Sequence, residues 1–368
     1  MHNIGKTGRI MKRHRDNFNS IAFVKHLFSY HHHSLPVLGA IFLCIPVLHG
    51  CESMHSKDAI FIGEHNMSPV KVAVQGNTNS DETFLDILVF RNDRTNFLEC
   101  YQRVAFREDG PVSIASMEGE KTLMACTAAG NAFGDWMWVS SISSLSDAWS
   151  DLEDETAEAA AMSGRCTFMA GGNAEDTVGL TLRRLSCEIL LRSLRCDFSG
   201  RPYAGEKLTD IRIYLTNVNA SCRIWDDSGH AHRIINQGRA VEADMDRFKD
   251  RDLIYRKIDK DVGRKEVRTD IRLRCYPNIS SEEGIGTPFT RLVIQGNLDG
   301  STWYWPIDIN RGNGQTPEGV EANCSYRYDI VLTRKGSADP DTAVRTDAAT
   351  IRLEVDKWEE KEKYTVLF

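Results

Sequence analysis

The chain has 368 residues, with 45 Lys and Arg against 52 Asp and Glu and a hydrophobic content of 41%. Six of those basic residues and one acid fall in residues 1–50, so residues 51–368 hold 39 against 51, a net charge of −12. Such a surface repels nucleic acid and anionic lipid, which argues against both as ligands. The length is that of two domains, each able to bury its own core.

Residues 35–51 read LPVLGAIFLCIPVLHGC, an apolar run ending at a Gly–Cys step. Lys12, Arg13, Arg15 and Lys25 precede it, as an export signal requires. The run is shorter than the roughly 20 residues a bilayer-spanning helix needs, and Pro interrupts it. Residues 1–50 are therefore expected to be a lipoprotein-type signal peptide, with Leu48-His49-Gly50-Cys51 as the lipobox and Cys51 as the acylated residue. An uncleaved anchor and an ordinary secretory signal are the alternatives. Everything after Cys51 is then expected to work outside the cytoplasm, tethered by lipid.

From there on, period-two alternation dominates. FLDILVF (84–90) places Leu85, Ile87 and Val89 on one face. Leu185, Cys187, Ile189 and Leu191 share another, and IRIYLTNV (211–218) sets Ile211, Ile213 and Leu215 against Arg212, Tyr214 and Thr216. IRLRCY (271–276), RLVIQG (291–296), WYWPIDI (303–309), YRYDIVLTR (326–334) and IRLEV (351–355) continue the pattern, which belongs to half-buried antiparallel strands. Turn-forming stretches separate them, among them Asn297–Gly300 and Gly336–Asp341. The fold class is mainly β, and a sandwich is the natural architecture. One segment differs: over 143–162, Leu145, Trp149 and Leu152 fall at helical spacing. Ser144 and Asp147 are placed to cap the start of a short helical insertion in the first domain, made of one or two short helices between strands. An opening strand, a turn and a strongly alternating strand occur twice, at 70–93 and at 177–219. The Gly171-Gly172-Asn173 turn then suggests domains at 51–176 and 177–368.

Eight cysteines follow Cys51: Cys100, Cys126, Cys166, Cys187, Cys196, Cys222, Cys275 and Cys324. None forms CxxC, so structural zinc and thioredoxin-like chemistry find no support. They are either small buried apolar residues or partners in disulfides whose pairing the sequence does not give. His31, His32 and His33 lie in the signal region. His230 and His232 fit a solvated loop better than a metal site. Ser337-Ala338-Asp339-Pro340-Asp341 fits a turn better than a calcium loop, and Trp303, Tyr304 and Trp305 fit strand packing better than a sugar platform. The pairs Glu282-Glu283 and Glu359-Glu360 read as surface charge. No nucleophile elbow, P-loop, zinc-protease or dinucleotide pattern is present, so no enzyme, cofactor or metal is expected.

In order along the chain, FLDILVF, LECYQRV (98–104), KTLMACTAAGN (121–131), LTLRRLSCEI (180–189), YLTNVN (214–219), WYWPIDINR (303–311), NCSYRYDIVLTR (323–334), GSADPD (336–341) and Trp358 before YTVLF (364–368) resemble the fimbrillins, pilus subunits of Bacteroidales. The resemblance implies two tandem transthyretin-like β-sandwich domains, export as a lipoprotein to the cell outer membrane, and assembly with other fimbrial subunits by strand exchange. It also implies that stalk subunits lose their first strand to a protease, often after Arg. Here no arginine occurs from Glu52 through Phe90, and Lys57 and Lys71 are the only basic residues there, so they are the possible processing sites. If neither is cut, the first strand stays and the chain behaves as an anchor subunit. Tyr364, Val366 and Phe368 share a face of the last segment, which is either a donor strand for a neighbour or the final strand of its own domain. The rival readings are a surface glycan-binding lipoprotein using Trp225, Trp303 and Trp305, and a lipid-anchored hydrolase with a pocket of converging titratable groups.

Overall fold

The computed structural model describes residues 59–61, 67–76, 84–106, 110–127, 136–171, 177–226, 228–312, 317–344, 347–357 and 363–367. All of them belong to one compact unit. The first half contains β1 (Ala59–Phe61), β2 (Met67–Gln75), β3 (Phe84–Arg91), β4 (Leu98–Ala105), β5 (Val112–Met117), β6 (Gly119–Thr127), β7 (Trp149–Asp151), β8 (Met162–Ala170), β9 (Thr177–Thr181) and β10 (Arg183–Arg184). The second half contains β11 (Cys187–Cys196), β12 (Thr209–Thr216), β13 (Val218–Asn219), β14 (Ser221–Arg223), β15 (Ile234–Ile235), β16 (Tyr255–Ile258), β17 (Val267–Cys275), β18 (Arg291–Leu298), β19 (Ser301–Asp308), β20 (Cys324–Leu332), β21 (Ala349–Lys357) and β22 (Lys363–Leu367).

These strands make two sandwiches. In the first, a sheet in the order β1-β4-β3-β6-β8-β10 packs on a sheet in the order β5-β2-β9. Val70, Val72 and Leu180 from the small sheet meet Leu85, Ile87, Val89, Leu123 and Ala125 from the large one. In the second, β17-β11-β20-β21-β22 packs on β16-β12-β18-β19. Its core takes the alternating residues read from the sequence: Ile189 and Leu191, Ile211 and Ile213, Leu292 and Ile294, Trp305 and Ile307, Tyr326 and Tyr328. Pairing in the main sheets is antiparallel except for β2 with β9 and β11 with β20. Each sandwich thus joins its opening long strand to a late strand in parallel, a pairing that requires a long crossover.

Local chemistry explains several details. The β18–β19 hairpin closes over Asp299-Gly300, at φ 53° and 73°. Positive φ at both central residues is the twist-matched two-residue turn, which Asp-Gly favours. β3 is buried on both faces, because Leu88 and Phe90 enter a second cluster with Trp136, Leu145 and Ile224. A strand covered twice reads as a near-continuous apolar run, as FLDILVF does. Its one charged member, Asp86, is held by Arg103 Nε and Nη2 at 2.7 and 2.8 Å and by the Tyr101 hydroxyl at 2.8 Å.

The insertion over 143–162 holds two short helices, both of 3-10 type. The chain forms 3-10 turns at Ile142–Asp147 and Leu152–Asp154, with β7 between them. The N-cap of the first is Ser141, whose N–H donates to Ser144 Oγ at 3.3 Å, so Ser144 takes part in the cap from the third helical position, whereas Asp147 is the last residue of the turn. Extended geometry at Ala148 ends it. β7 then pairs with β14, so the segment gains sheet bonds that a helix would forgo. Leu145 and Leu152 are buried as their spacing suggested, but in different cores.

β9, at the head of the expected second domain, pairs with β2, and Leu180 and Leu182 join the first core. The chain passes between the cores from Leu182 to Cys187, a little beyond the Gly171 turn. The β7 region straps the two halves together. Arg233 meets Asp151 at 3.0 Å and Glu153 at 2.6 Å, and Arg274 donates to the carbonyls of Thr156 and Ala157 at 2.7 and 2.8 Å.

Candidate functional site

Two sheet seams hold the described candidate residues, Lys71 at one and Tyr364 and Val366 at the other. The first surrounds β2. It pairs antiparallel with β5 from Met67 to Val72 and parallel with β9 from Lys71 to Gln75, so it is bonded on both sides at Lys71 and Val72. Its Val70 and Val72 are buried against the large sheet. Among the described residues β9 pairs only from Lys71 onward, so Pro69 lies outside the β2–β9 ladder, a position that tolerates a residue without an N–H. Removing β2 would leave unpaired N–H and C=O groups along β5 and β9 and open an apolar slot over Leu85, Ile87 and Leu123.

A buried ion pair reinforces that seam. Glu99 on β4 takes the Lys121 ammonium at 2.8 Å, the Ser116 hydroxyl at 2.8 Å and the Met117 N–H at 2.7 Å. Both charged side chains are almost fully buried. Glu99 therefore ties β4 and β6 of the large sheet to β5 of the small one. Cutting either partner leaves an uncompensated charge inside.

The second seam is the β21–β22 edge. β22 is the last strand of its five-stranded sheet, and its register sets Tyr364 opposite Val355 and Val366 opposite Leu353. Among the described residues it has one neighbour, whereas β2 has two, so its departure would not open a sheet interior. The outer face of the same sheet carries an open groove of about 660 Å³ between β17 and β21. Its charges answer one another: Arg192 binds Asp329 and Glu354, and Arg352 binds Glu354 at 2.9 Å. The hydrogen bond from Arg192 holds the Glu354 carboxyl below the usual range.

Comparison with known proteins follows from this architecture. No family model and no curated protein matches the chain. Among solved structures, a candidate cell adhesion protein of Bacteroides eggerthii DSM 20697 matches with a TM-score of 0.58 at 13% identity, over 79% of this chain and 96% of that one. A fimbrilin, FimA, of Porphyromonas gingivalis W83 matches with a TM-score of 0.56 at 14% identity, over 79% and 97%. The chain has the fimbrillin fold. A candidate cell adhesion protein of Parabacteroides distasonis ATCC 8503 shares it, at a TM-score of 0.56 and 16% identity over 81% and 98%.

Within the fimbrillin fold the candidate residues are placed as follows. Lys71 lies mid-strand in β2 with its side chain exposed and its backbone paired to Ser113 and Thr177. Tyr364 and Val366 lie in β22. Cys51, Lys57 and Phe368 are outside the described residues, as are His31, His32, His33, Trp358, Glu359 and Glu360.

The weaker candidates resolve into packing. Trp305 is fully buried, and its Nε1 donates to the Arg334 carbonyl at 3.0 Å, while Trp303 is half-buried against the same core. Trp225 is half-buried against the cluster containing Trp136. These tryptophans do not form an exposed row. Asp341 accepts from Arg291 at 2.7 Å and from Asn217 at 3.3 Å, so a guanidinium occupies the place a calcium ion would need. Arg291 is itself 4% exposed and also binds Asp308 and Glu283, which makes Glu283 more than loose surface charge. His232 stacks edge-on against Trp149 at 4.7 Å, and burial lowers its pKa. Among the described residues no His, Cys, Asp and Glu cluster could hold a metal, and no helix is long and apolar enough to cross a membrane.

Sequence reasoning missed the buried charges, among them Asp86, Glu99, Glu155 and Arg291. The available signal was a charge inside a strongly apolar strand, as at Asp86 in FLDILVF and Glu99 in LECYQRV.

Proposed function

We propose that this chain is a non-enzymatic fimbrial subunit of the bacterial cell surface, lipidated at Cys51, held at the outer membrane and joined to neighbouring subunits by strand exchange. Within a fimbria it takes the anchor position. The fimbrillin fold supports the subunit reading. The anchor reading rests on β2, which fills its own slot and offers no arginine for release, since none occurs from Glu52 through Phe90. Lys71 is bonded on both sides within the ladder, so a protease reaches its backbone only after β2 has left.

A subunit whose slot is filled accepts no donor and can only give one. The donor is then the closing segment with Tyr364, Val366 and Phe368, whose strand lies at a sheet edge. In a neighbour's slot it would supply backbone bonds and alternate side chains by β-augmentation. The alternative, a surface glycan-binding lipoprotein, needs a row of exposed aromatics, and the burial of Trp305 weighs against it.

Deleting residues 363–368 tests the reading. The expected result is a folded, envelope-bound chain that no longer retains fimbriae, which shed into the medium. Normal retention of fimbriae by the truncated chain contradicts donation from this end.

A further inference from the structure

We propose that Cys187 and Cys275 form a cross-strand disulfide when the chain folds in an oxidising environment. The two residues face each other in register on the antiparallel strands β11 and β17. Their sulfurs are 3.3 Å apart, the only cysteine–cysteine contact among the described residues. Directly opposed residues in an antiparallel pair have Cα atoms about 4.5–5.5 Å apart, inside the 4.4–6.8 Å range that disulfides span. Closing the sulfurs to about 2 Å then needs side-chain rotation and no strand movement. Both residues are fully buried, and no metal-ligand cluster among the described residues gives the thiols another role.

The chemistry balances as thiol–disulfide exchange. The two thiols lose two protons and two electrons as the S–S bond forms. The acceptor is the disulfide of an exchange protein, which leaves as a dithiol. The attacking species is a thiolate, and in the folded chain burial pushes the Cys187 thiol well up. The bond therefore forms while β11 and β17 are still docking, and afterwards the core shields it from reductants. Cys324 is the competing partner, since it precedes Ser325, which faces Glu188 across the β11–β20 pair.

The bond would fix one edge of the five-stranded sheet. β17 is the edge strand opposite β22. Stapling β17 to β11 confines strand exchange to the β21–β22 side and keeps the core sealed while β22 is away.

The inference depends on the proposed export only for access to an oxidant, so two preparations are compared. The full chain is refolded in a glutathione redox buffer, and the native chain is isolated from the cell envelope. Each is denatured in alkylating reagent and mapped as peptides without reduction. The expected result in both is a linked pair containing Cys187 and Cys275, lighter by two hydrogens than the separate peptides, abolished by reductant and absent from Cys187→Ser. Full alkylation of both thiols in a folded, oxidatively refolded chain overturns the pairing, as does a link from either residue to Cys324. A link present after refolding but absent from the envelope-derived chain upholds the pairing and counts against placement outside the cytoplasm.

Discussion

Glu155 lies fully buried between the two sandwiches, where it accepts from the Tyr276 hydroxyl at 3.0 Å, the Ser186 hydroxyl at 3.1 Å and the Ala161 N–H at 3.3 Å. Arg274 stands 3.6 Å away but spends its nearest bonds on the carbonyls of Thr156 and Ala157. Burial dominates and raises the carboxyl above its ordinary 4.5, against the pull of Arg274 and the hydrogen bonds. The folded state therefore holds this proton more tightly than the unfolded state does. Its contribution to stability is complete below 4.5 and is lost as pH rises through the higher folded value. Glu155→Gln has no proton to lose. Urea unfolding from about pH 4 to about pH 7 should show wild-type stability falling relative to this variant; a relative rise contradicts the assignment. Such residues were illegible in the sequence. Glu155 sits in an acidic, Ala-rich stretch that reads as solvated, and its partners lie between 6 and 121 positions away.

Alternation carried most of the strand assignments, because each strand of the second sandwich turns one face to a single core. It failed where a segment has two environments. β3 shows one apolar face by period, yet its other face is covered by Trp136, Leu145 and Ile224, which arrive from distant parts of the chain. The 143–162 segment has helical spacing and good helix formers, but β14 offers its backbone a strand partner, and a tertiary pairing of this kind outranks propensity. The loop at Gly336–Asp341 was legible as a turn, though its docking was not. Tyr304 and Ser337 exchange backbone bonds of 2.9 and 2.7 Å, and a methyl group on Gly336 would clash with the Tyr304 carbonyl oxygen. Backbone on backbone cannot yield cheaply. Gly336→Ala should cost about 1–3 kcal/mol in denaturant unfolding. Gly179→Ala, with nothing within 4 Å, should stay within about 0.5 kcal/mol. Equal costs at the two sites contradict the close approach.

For the whole molecule, the strap at β7 joins two sandwiches into one body, and each sandwich has a seam with a different status. The β2 seam is filled from within, with β5 along Met67–Val72, β9 along Lys71–Gln75, and the buried Glu99–Lys121 pair as a brace. Among the described residues the β22 seam is an edge with one partner. The proposed anchor role, in which the chain gives a strand and receives none, rests on that asymmetry. It turns on whether β2 stays in the mature chain. Mass spectrometry of the amino-terminal peptide of the chain from washed envelopes measures this directly. The expected result is a diacyl- or triacyl-modified Cys51 followed by an unbroken sequence through β2. A mature end near residue 58 or 72, after Lys57 or Lys71, contradicts it and makes the chain an acceptor within the stalk or at the tip.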